Sequence, residues 1–155
     1  MRILVVLAMG LLFGACTPAN RPMPKPALIV KTSPYSVSET MDRLQEAVRS
    51  KGAHVFARVD HGAGAKTAGL SLPPEAVLIF GNPKLGTPLM QQNPRFGLDL
   101  PLKVLVWQEG GVTKLAYTAP ASLGARYGVD PSHPVLVKMG KVLDAVTNEA
   151  VKASP

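Results

Sequence analysis

The stretch LKVLVWQEGGVTKLAYT, residues 102–118, contains two runs of largely apolar side chains on either side of a Gly-Gly pair. Glycine readily adopts the positive φ that tight two-residue hairpin turns require. The pattern therefore predicts two antiparallel strands, over 102–109 and 112–118, that are joined by Gly110 and Gly111. Because a hairpin alone is marginally stable, we expect the rest of the chain to cover one of its faces.

Three more strands are predicted ahead of this hairpin. Residues 28–32 and 76–80 form short apolar runs, and residues 55–59 alternate between more and less apolar positions. A period of two is typical of a strand that has one face on a core. The chain is therefore expected to form five strands.

Two long helices are predicted. In the sequence, one precedes the last four strands and the other follows them. Ser36 and Glu39 have the spacing of a capping box, which marks the start of the first helix, and Gly52 is expected to end it. The second helix is expected from about Pro134 to Lys152, where apolar side chains recur at helical spacing.

Shorter elements connect the strands. Thr87 followed by Pro88 is typical of an N-cap and a first-turn proline, which predicts a short helix over 88–92. A second short helix is expected over 122–127 before Gly128. The segment of residues 60–66 contains two glycines and is predicted to be a loop, and Met90 is expected either to border a cavity or to fill the core.

The order of elements indicates an α+β fold with the sequence strand, helix, four strands, helix. The economical arrangement is an antiparallel sheet with both long helices on one face, because each element has one apolar side to bury. The length of 155 residues allows one domain, which is expected over 28–155. No internal repeat is visible.

Composition excludes several classes of protein. With 46% hydrophobic residues and 17% charged residues the chain is not intrinsically disordered, and one cysteine excludes both a disulfide framework and a cysteine zinc cluster. The net charge of +7 is scattered and lacks an accompanying aromatic stripe, so no nucleic-acid partner is expected. The usual phosphate-binding, hydrolase and zinc motifs are absent, and neither a cofactor nor a metal site is expected.

The N-terminal residues 1–15 resemble a bacterial lipoprotein signal peptide. An apolar run over 3–13 is too short to span a bilayer as a helix, and it ends in the lipobox-like sequence FGAC, residues 13–16, with Phe13 where leucine is usual. The resemblance implies that Cys16 receives a palmitate-bearing lipid anchor and becomes the new N-terminus. The alternative is a plain secretory signal with an incidental cysteine.

Residues 16–27 are expected to form a stalk between this anchor and the domain. Prolines at 18, 22, 24 and 26 favour extended polyproline II over packed structure. Thr17 is not the aspartate that commonly retains lipoproteins in the inner membrane. In a Gram-negative host the prediction is therefore an outer-membrane lipoprotein that faces the periplasm.

The segments FGNPKLGTPLM, residues 80–90, and LDLPLK, residues 98–103, resemble the domain-of-unknown-function family 302, and the likeness extends over about residues 36–129. The resemblance implies a fold of the broad TATA-binding-protein-like or Bet v 1-like type and a homodimer. It implies no biochemical activity.

Polar residues at the ends of the predicted strands are the candidate site. A histidine beside a carboxylate can act as a general base or metal ligand, and a lysine with a hydroxyl group can hold an anion. The candidates are Asp60 and His61 after the second strand, Asn82, Lys84 and Thr87 after the third, and Asp99 and Lys103 before the fourth. If these strands are neighbours, their ends are expected to converge.

Each candidate also has a structural interpretation. His61 can be a hydrogen-bonded turn residue, Asn82 can cap a turn, and Thr87 can be an N-cap. Asp99 lies between two leucines and needs a partner, for which Lys84 or Lys103 is expected.

Three functions are consistent with these features. The first is a membrane-anchored, dimeric domain that binds a small ligand or a protein partner. The second is a hydrolytic or metal-assisted enzyme that uses His61 with Asp60 or Asp99 and a cation from Lys84 or Lys103. The third is a passive envelope component whose only chemistry is its anchor.

Overall fold

The computed structural model describes residues 27–153. The predicted signal peptide, Cys16 and nearly all of the predicted stalk lie outside the described residues. The elements are β1 (Leu28–Ser33), α1 (Val37–Ser50), β2 (His54–Asp60), α2 (His61–Thr67), β3 (Glu75–Gly81), α3 (Pro83–Gln92), a 3-10 helix (Pro94–Leu98), β4 (Leu102–Glu109), β5 (Val112–Thr118), α4 (Pro120–Arg126) and α5 (Pro134–Val151).

The five strands form one antiparallel sheet in the order β1-β5-β4-β3-β2. The hairpin of β4 and β5 turns at Gly110 and Gly111, whose φ angles are 57° and 80°. Both lie in the left-handed region that favours glycine. The predicted α+β fold is confirmed, with five strands, one long helix before the last four strands in the sequence and one after them.

The core lies between one face of the sheet and the two long helices. Alternate residues of β3, β4 and β5 are buried on this face, and the apolar stripes of α1 and α5 pack against them. The fully buried side chains include Leu78, Phe80, Val104, Val106 and Leu115 of the sheet, Met41, Leu44 and Val48 of α1, and Leu136, Leu143 and Val146 of α5.

The other face of the sheet, here called the open face, carries no helix of comparable length from residues 27–153. Strand alternation places Leu28, Val30 and Val59 on it, and these side chains are 59%, 51% and 40% exposed. Leu105 and Trp107 of β4 are half-buried on the same face. The open face is therefore apolar over much of its area.

The prediction that residues 60–66 form a loop was wrong, because residues 61–67 are the helix α2. Asp60 is its N-cap, and its carboxylate accepts a hydrogen bond from the amide of Ala63 at 2.8 Å. Each helical glycine costs about 1 kcal/mol relative to alanine, but a carboxylate cap recovers a similar amount. At the level of the sequence, Asp60 was considered only as a candidate site residue, and the two glycines alone suggested a loop.

The helix predicted over 88–92 begins earlier, at Pro83, and Asn82 is its N-cap. The Asn82 carboxamide oxygen accepts from the amide of Lys84 at 2.9 Å. Pro88 therefore lies inside α3, and the prediction that Thr87 caps a helix was wrong. Asn82 followed by Pro83 is itself a cap and a first-turn proline, so the stronger signal lay five residues upstream.

Lys31 joins the edge strand β1 to α5. Its ammonium group lies 2.6 Å from the Asp144 carboxylate, 2.8 Å from the Thr147 hydroxyl and 2.6 Å from the Asn148 side-chain oxygen. The Lys31 side chain is only 17% exposed. The charge on this largely buried side chain is tolerated because four acceptor atoms of α5 surround the ammonium group, and the fourth is the Asp144 backbone carbonyl at 3.3 Å.

Candidate functional site

The predicted site residues fall at two opposite ends of the sheet. Asp60 pairs with Ala76 at the start of β3, whereas Asn82 follows the end of that strand. The five residue steps between Ala76 and Gly81 separate the two ends by about 17 Å. The expectation that all the candidates converge was wrong. Because β2 and β3 are antiparallel neighbours, β2 ends at one end of the sheet and β3 ends at the other.

At the far end, the His61 ring forms no hydrogen bond or ion pair with an acidic side chain of residues 27–153. The Asp60 carboxylate caps α2, and His61 is exposed at the first position of that helix. Within residues 27–153 no group of three metal-ligating side chains occurs. The pairing of His61 with Asp99 is excluded, because the two residues lie at opposite ends of the sheet. The pairing of His61 with Asp60 stays a prediction.

Asp99 lies at the near end of the sheet, but its partners differ from those predicted. Its carboxylate accepts hydrogen bonds from Arg126 at 2.9 Å and from the Tyr127 hydroxyl at 2.6 Å. Donation to Asp99 is the main cause that raises the pKa of Tyr127. The expected pairing with Lys84 or Lys103 was wrong, because the end of α4 packs over the 3-10 helix and supplies both partners.

Beside this cluster is a cavity of about 230 Å³, here called the end cavity. It lies where β3 and β4 meet α3 and α5. Its lining is predominantly apolar and consists of Phe56, Gly81, Asn82, Pro83, Leu85, Gly86, Thr87, Met90, Gly97, Leu100, Pro101, Leu102 and Met139. Mostly apolar clefts with a few polar groups are the usual form of small-molecule sites.

Two of the four predicted ligand-binding residues, Asn82 and Thr87, line the end cavity. Lys84 is exposed between Pro83 and Leu85, which both line it. Lys103 instead borders a smaller pocket of about 40 Å³, together with Asp99 and Thr118. Whether any of the four binds a ligand stays a prediction.

Glycines create the space in the end cavity. A Cβ atom on Gly86 would lie 3.5 Å from the Leu100 side chain and 3.8 Å from that of Met90. A Cβ on Gly97 would lie 3.8 Å from the Met90 sulfur. Any larger side chain at either position would therefore extend into the volume that is now open.

Sequence reasoning missed most of the apolar lining. Phe56 and Met139 come from β2 and α5, which are distant in sequence, and no local pattern links them to α3. Met90 was recognised as a candidate cavity residue, and it does line the cavity.

The family described as "Domain of unknown function DUF302" matches residues 29–146, which is most of the chain. The chain belongs to this family. A solved structure described as an uncharacterized conserved DUF302 protein from Bacillus stearothermophilus is similar to it, with a TM-score of 0.72 and 25% identity. That similarity covers 79% of this chain and 97% of the solved one.

Two curated relatives carry the name of a channel. The chain is 47% identical over 112 residues to proteins named "Fluoride-specific ion channel FluC 1" from Brucella suis biovar 1 and Brucella abortus biovar 1. The match covers 72% of this chain but only 44% and 42% of those relatives. This chain thus spans less than half their length. Among residues 27–153 we find no helix with the length and apolar character needed to cross a bilayer.

Proposed function

We propose that this chain is a membrane-tethered lipoprotein domain that faces the periplasm, forms a homodimer and binds a small ligand in the end cavity. The observation that carries the ligand-binding part is the cavity itself, whose volume is about 230 Å³ and whose lining is predominantly apolar. Small-molecule sites are usually clefts with a mostly apolar lining and a few polar groups, and the end cavity has both. We therefore favour ligand binding over a passive role.

Two observations support the membrane tether. The lipobox-like sequence before Cys16 provides for lipidation, and the related segment in the Brucella proteins belongs to chains named as ion channels, which act in membranes. Domains of this family would then be held at a bilayer in different ways in the Brucella proteins and in this chain. In this chain the means is the lipid on Cys16.

The open face supports the homodimer. Glu75 and Lys103 lie on it at opposite ends of the paired strands β3 and β4, and neither forms an ion pair within residues 27–153. A twofold axis between two such faces, perpendicular to the strands, brings Glu75 of one copy towards Lys103 of the second. This charge match and the exposed apolar side chains favour a second copy as the occupant.

Ligand binding is tested with the neutral fluorescent probe N-phenyl-1-naphthylamine, whose emission rises in apolar surroundings. The protein is the chain from residue 16 onward with Cys16→Ser, which requires no detergent. We expect saturable binding that Gly86→Leu abolishes, because the new side chain fills the cavity. Gly64→Leu is the matched control, since a Cβ on Gly64 has no atom within 4 Å.

Equal probe binding by the wild type and by Gly86→Leu would refute the cavity as the site. Gly97→Val provides a second way to fill the cavity if Gly86→Leu fails to fold, as judged by its thermal unfolding midpoint.

The tether is tested by labelling cells with palmitate. In Cys16→Ser we expect the protein to lose its palmitate label and to be absent from the membrane fraction. Palmitate labelling that survives this substitution would overturn the anchoring proposal.

The dimer is tested by sedimentation at tens of micromolar. We expect a dimer for the wild type, a monomer for Lys103→Glu, and recovery of the dimer when Glu75→Lys is added, because the charge pair is then restored in reverse. A monomeric wild type would refute the proposal.

A further inference from the structure

The lining of the end cavity is apolar except for two polar side chains, those of Asn82 and Thr87, and Thr87 is exposed. The part of the cavity beside these two residues is here called its mouth. The Asn82 side-chain oxygen is occupied by the amide of Lys84, but its NH2 group donates to no residue within 27–153. The Thr87 hydroxyl likewise has no hydrogen-bond partner in the described part of the chain. Two donors are therefore available at the mouth.

Lys84 adds a positive charge beside these donors. It is exposed, it is flanked in sequence by the cavity residues Pro83 and Leu85, and it has no ion-pair partner within the described residues. Asp99, the partner that the sequence suggested for Lys84, is paired with Arg126 instead. An unpaired ammonium group beside two free donors suits an anionic head group.

The backbone amides of the first turn of α3 do not serve this purpose. Those of Leu85 and Gly86 donate to the carbonyl of Asn82 at 2.9 and 3.1 Å, and that of Lys84 donates to the Asn82 side chain. Contact with an anion at this mouth must therefore come from side chains.

The apolar interior suits a flexible chain better than a flat ring system. Met90 and Met139 line it together with three leucines, Leu85, Leu100 and Leu102, and methionine side chains adapt to irregular apolar partners. The one aromatic ring, that of Phe56, is 52% exposed. Gly86 and Gly97 add no side chain to the lining, so the adjacent Met90 side chain has room to adjust.

The end cavity also lies at the end of the sheet where the described chain begins. Leu28 pairs with Thr118, and the carbonyl of Ala27 accepts from the amide of Ala119 at 2.8 Å, next to the start of β4. A stalk that precedes residue 28 leaves the domain at this end. If Cys16 is lipidated as proposed, the cavity end is the end closer to the bilayer.

We infer that the end cavity takes one acyl chain of an amphipathic anion, whose head group is held by Lys84, Asn82 and Thr87. This inference rests on the proposed ligand-binding function and names its ligand class. Free fatty acids and anionic phospholipids share this chemistry, so the experiment distinguishes the two sources.

The test compares decanoate with decanol, which has the same chain and no charge, by calorimetric titration of the Cys16→Ser chain from residue 16. We expect decanoate to bind about tenfold more tightly than decanol. Lys84→Gln should remove this preference and leave decanol binding unchanged. Lys66→Gln, on α2 at the opposite end of the sheet, is the matched control and should keep the preference.

The outcomes separate this inference from the proposed function. Equal binding of decanoate and decanol by the wild type would overturn the anionic ligand and leave the apolar cavity intact as a site. Absence of binding by either compound would refute ligand binding in the cavity as well.

Extraction of fluorescent phosphatidylglycerol from vesicles would assign the acyl chain to membrane lipid. Binding of decanoate without such extraction would assign it to free fatty acid. Both results support the shared chemistry.

Discussion

The hydroxyl of Tyr127 donates a 2.6 Å hydrogen bond to the Asp99 carboxylate, which also accepts from Arg126. Asp99 follows the 3-10 helix, and the two donors lie at the end of α4. The Asp99 side chain is 21% exposed, so its charge is partly removed from water. This cluster fixes the end of α4 beside the end cavity.

Loss of this cluster should weaken the fold. We expect Tyr127→Phe and Asp99→Asn each to lower the free energy of unfolding by roughly 1–2 kcal/mol, since each removes a hydrogen bond to a charged, half-buried group. Urea unfolding measures the change. Lys84→Gln removes a charge that sequence alone suggested as the partner of Asp99, and it should change the free energy by less than about 0.5 kcal/mol. An equal loss in Lys84→Gln would contradict the observed pairing.

The Lys31–Asp144 pair should make stability depend on acid pH. Lys31 lowers the pKa of Asp144 by donating a hydrogen bond to it and by its charge. A carboxyl group whose pKa is lower in the folded state stabilises the protein above its unfolded pKa of about 3.9, and this contribution is lost as the pH falls through the folded pKa. We therefore expect the thermal midpoint of the wild type to exceed that of Asp144→Asn at pH 7 and the two to converge at low pH.

Thermal unfolding between neutral and strongly acidic pH measures this convergence. Glu46→Gln is the control, because Glu46 forms no ion pair within residues 27–153. A constant offset between the wild type and Asp144→Asn at all pH values would show that the ion pair is not the cause.

Gly124 and Gly140 should respond in opposite ways to alanine. A Cβ on Gly124 would lie 2.4 Å from the Leu136 side chain and 3.0 Å from the carbonyl oxygen of Val129, so α4 and α5 would have to separate. We expect Gly124→Ala to cost about 1–3 kcal/mol of unfolding free energy. Gly140, inside α5, has no atom within 4 Å of such a Cβ, and Gly140→Ala should gain up to about 1 kcal/mol. Thermal midpoints that move in the same direction would contradict this.

Asp60 and His61 should differ in their effect on α2. Asp60→Ala removes the N-cap and should lower the stability of α2 by about 1 kcal/mol. His61→Ala should leave the stability of α2 almost unchanged, because the ring is exposed. Since α2 has no buried residues, the loss should be local. Hydrogen exchange at the amides of α2 should accelerate only in Asp60→Ala. Acceleration by His61→Ala would assign the ring a structural role.

The strands and long helices could be predicted because their signals are local. The alternation in β4 and β5, the two glycines of their turn and the capping box at Ser36 all act within a few residues. The existence of α2 and the start of α3 were predicted wrongly. The glycines in α2 and Pro88 in α3 suggested that no helix passes through these positions. In both cases the side chain of the cap residue, Asp60 or Asn82, prevailed.

The site was harder to predict because it depends on strand direction and distant contacts. Adjacent strands suggested that all the candidates meet, but their antiparallel course separates Asp60 from Asn82. The partner of Asp99 lies 28 residues away at Tyr127, and no periodicity indicates such a contact. The polar groups at the mouth of the cavity were found, since they follow a strand end, whereas its apolar lining was not.

The described chain enters its fold at the start of β1 and leaves it after α5, where the Lys152 carbonyl accepts from Tyr35 beyond the far end of β1. The entry point and the end cavity therefore share one end of the molecule. An anchor that precedes residue 27 would therefore be attached at the end of the molecule that holds the cavity. Evolution could thus exchange one leading module for another and redirect the domain to a different surface without altering any contact inside it.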